Sequence, residues 1–114
     1  MKIETSINMP DKIFRGNSID IEGYVNIESL DECVIKAEIF DAFYSSIKLS
    51  SEVEGEISIS EEDDGSFIIH IAKDTTNLFH LISYIELTLI DADEKEITIY
   101  YAPIKFVDNQ FMRI

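Results

Sequence analysis

From Ile3 to Val107 the chain is a succession of short segments in which apolar and polar residues alternate, each closed by a cluster of turn residues. A period of two places alternate side chains on opposite faces of an extended backbone, so each segment reads as a strand with one buried face. The clearest is Ser18–Ile27. There Ile19, Ile21, Val25 and Ile27 point one way and Asp20, Glu22, Tyr24 and Asn26 the other. Gly23 interrupts the inward row, which predicts either a bulge or the close approach of another part of the chain. Isoleucine far outnumbers every other apolar residue, and isoleucine, phenylalanine and tyrosine all favour strands over helices.

The other segments follow in order. Lys2–Asn8 alternates weakly and is broken at Met9-Pro10-Asp11, and Lys12–Phe14 continues to the turn Arg15-Gly16-Asn17. Cys33–Phe40 turns Cys33, Ile35, Ala37 and Ile39 inward, and Phe43–Leu49 and Val53–Ser60 come next. Asp64-Gly65 is a hairpin pair leading into Ser66–Ala72, whose inward row is Phe67, Ile69 and Ile71. Asp74 is placed to cap one helical turn through Thr75–Leu78. Tyr84–Asp91 sends Ile85, Leu87 and Leu89 inward, and Asp91-Ala92-Asp93-Glu94 makes the next hairpin. Glu96–Tyr101 returns with Ile97, Ile99 and Tyr101 inward. Pro103 predicts a break, with Ile104–Val107 displaced at an edge. Evenly spaced strands of this kind predict an all-β, antiparallel β-sandwich of about 7–9 strands, with one short helical turn near residues 74–79. The sandwich is expected over residues 1–107, with residues 108–114 as a C-terminal tail.

Nine basic residues face 23 acidic ones, a formal net charge of −14. Binding to nucleic acid or to anionic lipid is not expected, because little could neutralise phosphates. No apolar run approaches the ~20 residues of a membrane helix. Met1-Lys2-Ile3-Glu4 leads directly into a strand, which predicts no signal peptide and synthesis in the cytoplasm. Cys33 is the single cysteine and lies between Asp31-Glu32 and apolar residues. It reads as a small core hydrophobe and not as a reactive thiol, which would need basic neighbours.

The order of elements resembles a family of small phage-encoded immunoglobulin-like proteins associated with tail, fibre or capsid assembly. The resemblance spans nearly the whole chain. It rests on Arg15-Gly16-Asn17-Ser18, Ile35-Lys36-Ala37-Glu38-Ile39, Asp64-Gly65-Ser66-Phe67, the turn at Thr75, Tyr84, Leu87-Thr88-Leu89 and Asp91-Ala92-Asp93. Ser83 and Glu94 stand where the family usually carries glycine. Tyr84 sits where sandwich folds often place a corner tyrosine. The resemblance implies an immunoglobulin-like fold and a noncatalytic structural or accessory role in a phage particle. The expected partners are other virion proteins or a second copy of the chain, with no cofactor.

The chemical constellations are weak by comparison. His70, between Ile69 and Ile71, falls on an outward face, and His80 stands apart, with no zinc-ligand spacing. The loops Glu61–Asp64 and Asp91–Glu94 offer oxygen ligands for calcium, but lack a calcium-loop motif and read as solvated hairpin tips. The serines lack a nucleophile elbow, and the glycines form no phosphate loop, so no enzyme is expected. Outward apolar residues carry the functional expectation: Val34, Phe40, Ile68, Ile90 and Tyr100, together with Phe111 and Met112 of the tail, form the candidate interaction surface. A rival reading is an acidic mimic of nucleic acid that inhibits a basic host protein, using Asp20, Glu22, Glu38, Glu56, Glu86 and Glu96. A carbohydrate platform is a third, disfavoured by the lack of tryptophan.

Overall fold

The inward rows of the alternating segments close on one another in two stacked sheets. The structure is a computed structural model and describes residues 3–27, 29–42, 45–62, 64–79 and 81–108. Its elements are β1 (Thr5–Ile7), β2 (Ile13–Phe14), β3 (Ile19–Val25), β4 (Val34–Phe40), β5 (Ser46–Ser50), β6 (Ile57–Ile59), β7 (Ser66–Ile71), α1 (Lys73–Thr76), β8 (Leu81–Ile90) and β9 (Glu96–Val107). One sheet has the order β1-β3-β7-β6 and the other β2-β9-β8-β4-β5. All pairings are antiparallel except that of β2 with the end of β9. The chain is therefore all-β, a two-sheet sandwich with a single helical turn among the described residues.

The core lies between the sheets. Ile21, Val25, Ile57, Phe67, Ile69 and Ile71 from the four-stranded sheet meet Ile35, Ala37, Ile39, Ile85, Leu87 and Leu89 from the other, all buried. Phe79 and Phe106 stack within it, with ring centroids 5.4 Å apart. Burying such side chains contributes roughly 1.5–3 kcal/mol each and is the main term favouring the fold. Cys33 is half-buried against this core.

Gly23 sits directly across from Phe67. A Cβ there would lie 2.6 Å from Phe67 Cε2 and 2.8 Å from Ile7 Cδ1. The gap in the inward row is thus space taken by the Phe67 ring. The pairing of β3 with β7 runs without a register shift, so the bulge alternative does not apply.

Three local expectations are corrected. The helical turn begins at Lys73 with Ala72 as its N-cap residue, and Asp74 lies in its first turn without capping it. The turn is held instead by the buried hydroxyl of Thr76, which accepts from Gly16 N and donates to Asn17 O. Val53–Ser60 is a strand only at Ile57–Ile59, because the residues before it form turns. Pro103 does not break the last strand. It pairs with Tyr84 inside a continuous β9, at a stretch whose other edge carries no partner among the described residues, since β2 reaches only Phe106 and Val107. Proline is tolerated where its missing N–H faces such an open edge.

The acidic hairpin tips are organised by their own carboxylates. Asp91 Oδ1 accepts from the amides of Asp93 and Lys95, and Asp64 Oδ1 accepts from Ser66 N. That bond from the Ser66 amide is the main cause holding the Asp64 carboxyl below its ordinary pKa.

Candidate docking surface

The outer face of the five-stranded sheet carries the most distinctive side-chain arrangement. Phe40 on β4 is directly opposite Tyr84 on β8, and Tyr101 on β9 is opposite Glu86 in the next row. The Phe40 and Tyr84 rings stack at 5.9 Å and those of Tyr84 and Tyr101 at 5.7 Å, while Phe40 and Tyr101 are 6.3 Å apart. Aromatic pairs at such separations are individually favourable. Here they sit on the solvent side, with Tyr101 56 % exposed.

Beside the rings, Glu38 and Glu86 face each other directly across β4 and β8. Like charges in that position are destabilising. Lys48 lies opposite Glu38 on β5, but no ion pair reaches Glu38 or Glu86 among the described residues. Glu38, Glu86, Phe40 and Asp41 line a shallow hollow of about 330 Å³. Asp41 Oδ1 accepts from Ser45 N and shapes its rim.

The expected surface is only partly assembled. Val34 and Ile90 are paired on this same outer face, but two polar rows, Lys36–Thr88 and Glu38–Glu86, separate them from Phe40. Ile68 belongs to the opposite face of the molecule, between Glu22 and Ser58. Tyr100 is corrected outright: a β-bulge between the pairs Thr88–Thr98 and Leu87–Tyr100 turns it inward against the core and turns Tyr101 outward. Tyr84 is the fourth residue of β8 and stacks on the outer face, so it is no corner tyrosine. Phe111 and Met112 lie outside the described residues. Alternation places Tyr84 outward, in the row of Glu86 and Ile90, although it is not among the candidate surface residues, and it places Tyr101 inward. The adjacent pair Tyr100-Tyr101 did carry a signal, because one of two consecutive strand residues must face outward.

The outer face of the other sheet brings together a second arrangement. His70 Nδ1 is 2.7 Å from Asp20 Oδ1, and its Nε2 is 2.8 Å from Ser58 Oγ. An ionised carboxylate only accepts, so Nδ1–H donates to Asp20; Nε2 accepts from the Ser58 hydroxyl when the ring is neutral and donates to Ser58 Oγ when it is protonated. The order matches that of a nucleophile, base and orienting acid. The setting does not match. Acyl transfer needs N–H donors converging about 3 Å from the developing oxyanion, whereas strand N–H groups lie in the plane of the sheet and Ser58 projects from it. Asp20 is 65 % exposed, so water screens its charge. The row stitches β3, β7 and β6 together beside an open groove of about 520 Å³ that includes Tyr24 and Ile68.

Among the described residues, no three His, Cys, Asp or Glu side chains converge in a way that could hold a metal ion. Among the same residues no helix is long and apolar enough to cross a membrane. No protein-family model matches the chain, and no curated protein matches it in sequence.

Proposed function

We propose that this protein is a noncatalytic immunoglobulin-type module that docks another protein on the outer face of its five-stranded sheet. The stack of Phe40, Tyr84 and Tyr101, on three adjacent strands and facing solvent, carries the reading. A ring cluster supplies rigid contact area at low entropic cost, which is why aromatic residues are enriched in interface cores.

The immunoglobulin assignment rests on strand order. With β1, β3, β4, β5, β6, β7, β8 and β9 in the places of strands A, B, C, C′, D, E, F and G, the sheets read A-B-E-D and G-F-C-C′, with β2 as a short parallel addition beside G. The setting we propose, on the sequence resemblance, is a phage particle, in which the module joins another virion protein.

The mimic reading is less well supported. Glu38, Glu86 and Glu96 project from one sheet, and Asp20 and Glu22 from the other, so they form no single phosphate-like row. Asp20 is bonded to His70, and Glu56 accepts from the Ser50 amide.

A photoreactive phenylalanine at position 101, compared with one at position 24 on the opposite face, tests the docking reading in cells that carry the gene. One discrete adduct should form from position 101 and be lost with the F40S/Y84S background. Equal adducts from both positions, or none from 101, would overturn it. Mass spectrometry of purified particles tests the setting, and consistent absence of the protein there would remove the virion.

A further inference from the structure

Building on the docking reading, we infer that the hollow beside the ring stack receives an arginine side chain from a basic partner segment. Glu38 and Glu86 are held face to face by the β4–β8 pairing; Lys48 stands across from Glu38 on the far side without forming an ion pair, and a cation bound between the two carboxylates relieves the like-charge contact directly. Phe40 lines the same hollow, and the exposed Tyr101 ring is directly across from Glu86.

Two carboxylates next to aromatic rings suit a planar guanidinium. It can stack on a ring while its N–H groups fork to carboxylate oxygens, whereas a lysine ammonium offers a point charge without the stacking plane. The hollow, about 330 Å³, accommodates such a side chain.

The charge of the whole molecule selects the same kind of partner. At a net −14, two copies of the chain repel each other, while a basic protein is drawn in. Nor does Arg15, the arginine among the described residues, offer itself to a second copy. Its guanidinium donates to Asp108 Oδ1 and to the carbonyl of Asn77, each at 2.8 Å.

The test is amide chemical-shift mapping of the full chain with a blocked Gly-Arg-Gly peptide, using the citrulline peptide as the neutral isostere. Arginine should move the amides of Glu38, Asp41, Glu86 and Tyr101, and citrulline should leave them in place. The E38Q/E86Q variant, which retains the wild-type thermal midpoint or exceeds it, should weaken arginine binding about tenfold, as loss of charge-assisted hydrogen bonds predicts. The inference is overturned if citrulline moves the same amides equally, if arginine moves none of them, or if the variant binds undiminished. A position-101 adduct that survives E38Q/E86Q would also remove the arginine while leaving the docking face intact. Loss of the adduct only in F40S/Y84S would locate the docking energy in the rings alone and likewise remove the arginine.

Discussion

Single residues show where this sandwich departs from its best stability. Ser83 is fully buried between the sheets, and among the described residues its hydroxyl has no hydrogen-bond partner. A buried hydroxyl without a partner costs about 1–3 kcal/mol. Ser83→Ala should therefore stabilise the protein by about 1 kcal/mol, offset slightly by lost contacts, and raise the thermal midpoint by roughly 4 °C. Calorimetry that found S83A less stable would mean the hydroxyl is satisfied. Glu94 is a comparable case, held at φ 63° in a hairpin position that suits glycine. Ser83 and Glu94 are the two positions where the resemblance leads one to expect glycine, and both carry a local penalty.

At the scale of elements, the β3–β7 pair depends on the absence of one side chain. Gly23→Ala usually strengthens a strand by restricting the unfolded chain. Here the added methyl meets the Phe67 ring, so G23A should destabilise by about 1–3 kcal/mol, as overpacking does. The double variant G23A/F67L should recover part of that loss, and chemical denaturation can read both changes. The β6–β7 hairpin carries a different expectation. Because the folded Asp64 carboxyl sits below its ordinary pKa of 3.8, its contribution is present above that value and lost as pH falls through the lower folded value. The Ser66 amide shift should titrate with a midpoint below 3.8. A midpoint above it would show that the capping bond is missing in solution.

For the molecule as a whole, the question is whether it binds or reacts. Among the described residues, the Asp20–His70–Ser58 row is where catalysis could be argued, and its flat, solvated setting speaks for a structural role. A fluorophosphonate probe should leave Ser58 unlabelled across neutral pH. Labelling that disappears in H70A would sink the noncatalytic reading directly. The aromatic face, by contrast, combines ring area with two facing carboxylates, features that a partner can use and that the isolated fold does not require.

Much of the architecture was legible because burial and strand periodicity are local and repetitive. The inward rows of β3, β4, β7 and β8 are those that alternation predicts, and the two-sheet class follows from them. The candidate surface was less legible. Alternation names an outward residue but says nothing about which strand lies beside it, so Val34, Phe40 and Ile68 look equivalent in sequence although Ile68 is on the opposite sheet. The bulge in β9 was hidden for a related reason. One extra residue reverses every side chain beyond it, and that reversal is decided by pairing with β8, not by any preference of Tyr100 or Tyr101 themselves. The sequence by itself determined that the chain makes strands with one apolar face and a strongly acidic exterior. Only the tertiary structure decided that Phe40, Tyr84 and Tyr101 meet beside Glu38 and Glu86, because strand order and register bring together residues that are far apart along the chain.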